Sequence, residues 1–275
     1  MLGKRLLTAI IGIPVAVYII NYGQGLFVVA VTLLNLLAWH EYCGMLRKKD
    51  IKVSYRLGIL GNIILLGCAW WGNSQETIMV MLVITLLVLV KTVISCQAFS
   101  LSDAAFTLLG MMYIGLCFSH LILLRFTNDF VYFVTSFATL SAGAVYLWLP
   151  FIGTWASDSF AFLVGSQLGK HKLCPTVSPG KTVEGVIGGL VGSILAVIAF
   201  GNFFHIPLLH TVMIGILVGI VAPLGDLAES ALKRFTGVKD SGRILPGHGG
   251  VLDRFDSILF AVPTVYYYVQ TFMVP

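Results

Sequence analysis

The sequence predicts an all-α, polytopic integral membrane protein with about nine transmembrane helices and a cytoplasmic N-terminus. Composition is the first reason: 58% of the 275 residues are hydrophobic, only 11% are charged, and the mean hydropathy is +0.95. A soluble domain of this size needs a larger charged surface. The apolar runs are continuous instead of alternating, which disfavours a transmembrane barrel. The same composition excludes a disordered chain, a coiled coil and a secreted disulfide scaffold.

The second reason is the length of the apolar runs, since a helix needs roughly 20 apolar residues to cross the hydrocarbon core of a bilayer. The predicted spans are 6–22, 25–42, 57–73, 77–95, 105–124, 130–150, 151–166, 185–200, 209–227 and 257–274. The runs 130–150 and 151–166 abut at Leu149-Pro150 and are treated as one interrupted span, which leaves nine crossings. The first run is kept as a span because no small-x-small cleavage site follows it.

The third reason, which also sets the orientation, is the distribution of Lys and Arg. With the N-terminus inside, all but one of the 17 Lys and Arg residues lie at inner ends of the predicted spans, and the exception is Arg125. This bias is typical of cytoplasmic loops, so the polar stretches 166–184 and 233–256 are expected in the cytoplasm. The net charge of +5 then reflects asymmetry across a membrane, expected to be the bacterial inner membrane, and predicts no nucleic-acid partner.

The chain is predicted to form a single membrane-embedded domain over 1–275, in which 1–150 is a transmembrane scaffold and 151–275 is the catalytic part. This division rests on the acidic residues, of which seven out of 12 lie in the second part: Asp158, Glu184, Asp226, Glu229, Asp240, Asp253 and Asp256. Three small-xxx-small pairs, which let helices approach closely, are interpreted as ordinary packing: Gly185/Gly189, Gly188/Gly192 and Gly215/Gly219.

One group of candidate site residues enters an otherwise apolar span after Pro223. At about 100° per residue, four polar side chains fall on one face of a helix: Asp226, Glu229, Ser230 and Lys233. A charged residue inside a span normally faces an aqueous cavity or a partner. The alternative is a structural contact between Asp226 and Lys233 that satisfies the helix end.

The stretch 239–256 is too polar to cross the membrane and too rich in Gly for a stable helix. Its glycines let backbone N–H groups approach an anion, and Asp253 and Asp256 share one face if the last helix begins there. Together with Asp226, these carboxylates lie among several Lys and Arg residues, a combination that suits a polyphosphate bound to Mg²⁺. The alternative is a solvated loop.

From Ser230 to Asp256 the chain resembles the signature of the phosphatidate cytidylyltransferase (CDP-diacylglycerol synthase) family. The matching positions are Ser230, Leu232, Lys233, Arg234, Lys239, Asp240, Gly242, Leu245, Pro246, His248, Gly249, Gly250, Val251, Asp253, Arg254, Phe255 and Asp256. The resemblance is close over 151–275 and limited to hydropathy before it. It implies transfer of the cytidylyl group of CTP to phosphatidic acid, Mg²⁺ as cofactor with a second cation as an option, and a homodimer.

A second stretch, 155–185, is similar to the family's inner segment, in which an Asp near a membrane face precedes a basic loop. Here the Asp is Asp158, either a metal or nucleotide ligand or an ion-pair partner for a lysine. The run 180–182 (Gly-Lys-Thr) is not a nucleotide phosphate loop, because position 175 is Pro where that motif needs Gly. Ser178 before Pro179 predicts a helix start whose N–H groups attract phosphate.

The resemblance and the residue chemistry together imply roles for individual side chains. The implied catalytic residues are Asp226, Lys233, Asp253 and Asp256, with Asp226 and Asp253 as Mg²⁺ ligands. Further candidate ligands are Asp256, Glu229 and Asp158. The implied substrate-binding residues are Ser230, Arg234, Lys239, Arg243, His248, Gly249, Gly250, Arg254, Lys170, Lys172, Ser178 and Lys181. His40 and Glu41, near the inner end of the second span, are expected to be interfacial, and contact with substrate is the less favoured alternative.

Two other classes of protein fit part of the pattern. A CTP-dependent lipid kinase of the dolichol-kinase type would release CDP instead of pyrophosphate. A cation-coupled transporter would use intramembrane carboxylates for its coupling ion, but it typically has broken helices in both halves, whereas the acidic residues of this chain crowd one end.

Overall fold

The computed structural model describes residues 2–71, 74–242, 244 and 249–274, and the side chains of all of these except 2–9, 11 and 74. The helices are α1 Leu2–Tyr22, α2 Gln24–Arg47, α3 Tyr55–Trp70, α4 Ser74–Ile94, α5 Leu101–Gly110, a π-helical turn Met111–Leu116, α6 Cys117–Arg125, α7 Ala142–Leu168, α8 Val183–Phe203, α9 Leu208–Thr236 and α10 Leu252–Phe272. The strands are β1 Tyr132–Val134, β2 Thr139–Ser141, β3 Lys172–Cys174 and β4 Ser178–Thr182.

The helices confirm a polytopic membrane protein. In the described part of the chain, six helical segments are long and apolar enough to cross a bilayer: Gln24–Arg47, Gln75–Ile94, Leu101–Arg125, Ala142–Leu168, Val183–Phe203 and Leu208–Thr236. At 1.5 Å per residue, each matches or exceeds the roughly 30 Å hydrocarbon thickness. Shorter apolar helices occur at Gly12–Tyr22 and Tyr55–Trp70. The total of nine crossings and the cytoplasmic N-terminus stay predictions.

The predicted span 130–150 is wrong in its first half. Residues 132–141 form an antiparallel hairpin in which Phe133 pairs with Leu140, and α7 begins only at Ala142. The turn explains this difference, because the Thr135 hydroxyl accepts the N–H of Ala138 at 3.0 Å and so closes a local turn that competes with helix. From Ala142 onward α7 continues through Pro150 without a break, so the abutting runs do belong to one helix.

The chain divides into two compact units, each made from two segments of the sequence. The first unit contains Met1–Leu123 and Lys233–Arg254. In its core, Gly58 leaves space for the fully buried ring of Trp39, whose Nε1 donates to the carbonyl of Tyr55 at 3.1 Å. This contact joins α2 to the start of α3.

The second unit contains Leu124–Leu232 and Phe255–Pro275. Its helices pack through glycines: a Cβ at Gly189 would lie 2.8 Å from the carbonyl oxygen of Ser157, and a Cβ at Gly215 would lie 2.7 Å from the Cα of Ile194. These contacts join α8 to α7 and α9, which confirms that the small-xxx-small pairs serve packing within the chain. The proposed functional division at residue 150 is a separate matter and stays a prediction.

Candidate functional site

A cavity of about 500 Å³ lies within the second unit, between α7, the junction of β4 with α8, and α9. Its lining contains two carboxylates and one ammonium group, namely Asp158, Asp226 and Lys181. Its remaining walls are small or apolar: Ser157, Ala161, Phe162, Gly165, Ser166, Gly180, Thr182, Gly185, Val186 and Pro223. The stretch 155–185 and the group of polar residues that follows Pro223 therefore both contribute to one cavity.

The central contact in this cavity is an ion pair between Lys181 and Asp226, with 2.7 Å between Nζ and Oδ2. Lys181 Nζ also donates to the carbonyl of Pro223 at 3.2 Å, so its side chain reaches across to α9. The hydroxyl of Ser230, one turn beyond Asp226, donates to Oδ1 of that carboxylate at 3.2 Å. The partner of Asp226 in this ion pair comes from another element of the unit, unlike the predicted alternative in which Lys233 of the same helix supplied it.

The predicted helix start at Ser178 is wrong, because Ser178 begins β4 and α8 starts at Val183. The N-cap is Thr182, whose Oγ1 accepts the N–H of Gly185 at 3.1 Å. The tertiary reason is Glu184, whose carboxylate accepts the backbone N–H of Lys170 at 3.1 Å and lies 2.6 Å from Nδ1 of His171. These bonds tie the first turn of α8 to residues 170 and 171, just before β3, and β3 pairs with β4, so the chain stays extended up to the cap.

The other residues of the basic hairpin lie outside the cavity lining. Lys170 and Lys172 are exposed, and Ser178 is half-buried opposite Cys174 in the sheet. Glu184 had no assigned role in the sequence interpretation, although its position next to a predicted helix start was a usable signal. The structure therefore separates Lys181, which faces the site, from the two lysines that precede it.

A second cluster lies within the first unit, around Asp253 in the first turn of α10. Oδ1 of Asp253 accepts from Lys233 Nζ at 2.8 Å, and Oδ2 accepts from the N–H of Gly250 at 2.8 Å. Ser241 adds its N–H and its hydroxyl to Oδ2, each at 3.0 Å. Burial alone raises the pKa of this carboxyl, but Lys233 and the backbone donors outweigh it and hold the pKa below its ordinary value.

The glycines of the signature serve this carboxylate. Gly249 has a φ of 83°, and a Cβ there would lie 2.7 Å from Oδ2 of Asp253. The N–H of Gly250 is already used on the same oxygen. The predicted phosphate cradle of Gly249 and Gly250 is thus, in this structure, a cradle for Asp253.

The sequence interpretation gave Glu41 no role in the site, yet its side chain is buried, at 4% exposed. Its carboxylate accepts the N–H groups of Val251 and Leu252 at 2.9 and 3.0 Å and lies 3.2 Å from the hydroxyl of Ser241. An acidic side chain inside an apolar run was the available signal, because such a group needs a buried partner. His40, by contrast, is exposed.

The remaining predicted site residues are spread more widely. Glu229 is fully buried in α9, and Asp256 Oδ1 accepts the N–H of Ser257 at 2.6 Å. The exposed cations are Arg234, Lys239 and Arg254. Arg243 and His248 lie outside the described residues.

The oxygen donors of the cavity fit a divalent cation. Mg²⁺ is usually held by one or two carboxylates together with substrate phosphates and water, and Asp158 and Asp226 supply two carboxylates to one cavity. The hydroxyl of Ser157 also borders this cavity and is buried with no hydrogen-bond partner among the described residues. Within the described part of each unit, no three His, Cys, Asp or Glu side chains cluster as a preformed metal cage.

Comparison with known proteins extends the likeness to nearly the whole chain. The family model described as "Cytidylyltransferase family" matches residues 3–272. The phosphatidate cytidylyltransferase of Staphylococcus haemolyticus (strain JCSC1435) is 38% identical over 265 residues, covering 94% of this chain and 95% of that protein. The protein of the same name from Staphylococcus aureus (strain COL) is 37% identical over 263 residues, with the same coverage. The resemblance first seen in the signature is confirmed.

Proposed function

The chain belongs to the cytidylyltransferase family, and from that premise we propose that it transfers the cytidylyl group of CTP to phosphatidic acid, giving CDP-diacylglycerol and pyrophosphate. The name of its relatives, phosphatidate cytidylyltransferase, gives the acceptor and the transferred group, and CTP is the donor that we propose. The observation that carries the proposal is the cavity in which Asp158, Asp226 and Lys181 meet, because this combination suits a nucleotide triphosphate bound with a cation.

The proposed reaction needs no general base from the protein. An ionised phosphate oxygen of the lipid attacks the α-phosphorus of CTP, a new P–O–P linkage forms, and the bond between the α-phosphorus and the bridging oxygen breaks as pyrophosphate leaves. The nucleophile is already ionised near neutral pH, so no side chain must remove its proton. The obstacle is the repulsion between two polyanions, and catalysis depends on positioning and charge stabilisation.

The residues of the cavity support these two tasks. Lys181 sits just before the N-terminus of α8, where the helix dipole adds partial positive charge, and we assign it to a phosphate of CTP. We propose that Asp226 and Asp158 hold Mg²⁺, and the bound ion would neutralise part of the negative charge of the triphosphate. Ser230 orients Asp226 through its hydrogen bond.

We propose that the signature residues bind phosphate and Mg²⁺. Lys233 and Asp253 form the central pair of the cluster in the first unit, and we propose Asp253 as a Mg²⁺ ligand of that cluster. Asp256 and Glu229, which belong to the second unit, are proposed as outer carboxylates or ligands of a second ion. The proposed phosphate-binding cations are Arg234, Lys239, Arg243, His248 and Arg254, together with Lys170 and Lys172.

The proposed location is the cytoplasmic face of the bacterial inner membrane, within phospholipid biosynthesis. CTP arrives from the cytosol and phosphatidic acid from the inner leaflet, so the site must be open to both. The Lys and Arg distribution supports this orientation, because all but one of these 17 residues lie at the predicted inner ends. A homodimer is proposed as the oligomeric state, and no nucleic-acid partner is expected.

The test is a product analysis of detergent-solubilised protein with labelled CTP, phosphatidic acid and Mg²⁺. We expect labelled CDP-diacylglycerol and one equivalent of pyrophosphate. Labelled CDP together with a phosphorylated polyprenol, when polyprenol is supplied, would overturn the proposal in favour of the kinase. Cation-dependent flux in proteoliposomes without any nucleotide product would favour the transporter.

A further inference from the structure

The carboxylate of Glu41 bonds to both ends of the segment 241–252, which we call the signature loop. Glu41 lies in α2, and its partners are Ser241 at the start of the loop and Val251 and Leu252 at its end. All of them belong to the first unit. Since an unpaired carboxylate is costly to bury, and Glu41 is 4% exposed, these bonds also fix where the loop begins and ends.

The bonds to Val251 and Leu252 cap α10. The first N–H groups of a helix have no partner within it, and an acidic group at this end is favoured by the helix dipole. Glu41 Oε1 accepts from Val251 and Oε2 from Leu252. The carboxylate thereby sets the position of the residue that follows Leu252, which is Asp253.

Ser241 forms a second link between Glu41 and Asp253. Its hydroxyl oxygen lies 3.2 Å from Oε2 of Glu41 and 3.0 Å from Oδ2 of Asp253. A hydroxyl has one proton to donate, so the two carboxylates share a single donor. A change at Glu41 must therefore alter how Ser241 is directed toward Asp253.

Two glycines leave the space that Glu41 occupies. A Cβ at Gly242 would run into Oε1 of Glu41, and a Cβ at Gly250 would lie 2.5 Å from Oε2. Both glycines belong to the signature, so part of that signature accommodates a residue far outside it.

We infer that Glu41 is a positioning residue for cytidylyl transfer: it holds Asp253 and the start of α10 in place while touching neither substrate. The inference rests on the proposed function. Among the described residues, Glu41 is linked to Asp253 through Ser241 and the backbone at the start of α10. Its loss should then affect the chemical step more than substrate binding.

The test compares E41Q with D103N, a matched control in the same unit. Asp103 is also a buried carboxylate, 6% exposed, that accepts the N–H groups of Lys52 and Ser100 at 2.6 and 2.8 Å. For E41Q we expect kcat and kcat/KM to fall together by about 10²-fold, because a small misplacement can cost that much, with both KM values within roughly threefold of wild type. D103N should keep kcat within roughly threefold.

Amide hydrogen exchange provides a readout independent of turnover. In E41Q, peptides covering 249–256 should exchange faster than in wild type, and in D103N they should be unchanged. If E41Q does not fold, S241A takes its place, since it removes only the shared hydroxyl; we expect a drop in kcat of about tenfold with unchanged KM values.

Three results would overturn the inference: a kcat for the folded variant within threefold of wild type, an equal loss in D103N, or unchanged exchange over 249–256. Failure of the proposed function is distinguishable, because wild-type protein would then lack the activity. The exchange comparison does not depend on that activity and would still report on Glu41.

Discussion

Replacing Asp226 with Asn removes one charge from the cavity and keeps the shape of the side chain. In the wild-type protein Oδ2 of Asp226 lies 2.7 Å from Lys181 Nζ, and the two side chains are 33% and 22% exposed. Water therefore screens this pair, and ion pairs of that kind contribute about 1 kcal/mol or less to stability. The expected cost in the free energy of unfolding is accordingly small.

The expected cost in activity is much larger. A carboxylate that holds the metal stabilises charge in the transition state, and losing such a group typically lowers the rate by about 10²-fold or more. That factor corresponds to about 2.7 kcal/mol of activation free energy. A purely structural role would instead produce a loss of turnover no larger than the loss of folded protein.

The measurement is kcat with labelled CTP and phosphatidic acid, alongside thermal unfolding in the same detergent. D129N is the matched control, because Asp129 is also 33% exposed and pairs with Arg125 at 2.6 Å, in the same unit but outside the cavity lining. Arg125 is almost fully buried, so D129N should lower stability at least as much as D226N while keeping near-normal turnover. Near-normal turnover in D226N would mean that another carboxylate holds the ion.

Three further outcomes are expected. K181M should lower kcat/KM for CTP roughly 10–100-fold, the loss of a charged hydrogen bond to phosphate, while K181R should recover part of it; equal kinetics for K181M and wild type would remove Lys181 from the CTP site. G225A should lower the free energy of unfolding by about 1–3 kcal/mol, because its Cβ would lie 2.5 Å from the carbonyl oxygen of Asp256; G44A, with nothing within 4 Å of its Cβ, should not, and equal unfolding temperatures would contradict this. EDTA should abolish turnover and excess Mg²⁺ restore it; turnover that survives would exclude Asp158 and Asp226 as ligands of an essential ion.

The helices could be predicted because a bilayer leaves the backbone few choices. Within hydrocarbon, each backbone N–H and C=O group must be paired inside the segment, so a long apolar run becomes a helix. The predicted span 185–200 accordingly lies inside α8, Val183–Phe203. The predicted helix ends are off by a few residues, because the start of α8 is set by a hydrogen bond to the side chain of Thr182, which hydropathy does not report.

Hydropathy failed where local polar contacts decided the backbone. The run from residue 130 is apolar enough for a span, yet the Thr135 hydroxyl closes a turn and the chain pairs as β1 and β2. At Ser178 the local sequence favours a helix cap, but the chain pairs there with β3 as strand β4, and Glu184 bonds to residues 170 and 171 just before that hairpin. The hydrophobic periodicity of these two segments does not reveal the turn at Thr135 or the bonds made by Glu184.

The site shows a similar limit. Motif reading found Asp226, Lys181 and Asp253, because each lies in a segment with several polar residues close together in sequence. It missed Glu41, since the partners of that carboxylate are in a loop at the other end of the chain. An acidic residue in an apolar run indicates that its carboxylate has a buried partner. The tertiary structure is needed to identify that partner.

The charges of the cavity bear on how CTP is expected to bind. Asp226 and Lys181 form an ion pair, and the lining contains a second carboxylate, Asp158. A triphosphate entering this cavity alone would bring its own negative charges close to two carboxylates, which opposes its binding. A triphosphate that arrives with a divalent cation presents positive charge to the two carboxylates and leaves Lys181 available to a phosphate oxygen. The same carboxylates that repel the free nucleotide would thus favour its metal complex, so we expect the apparent affinity for CTP to rise steeply with Mg²⁺ concentration.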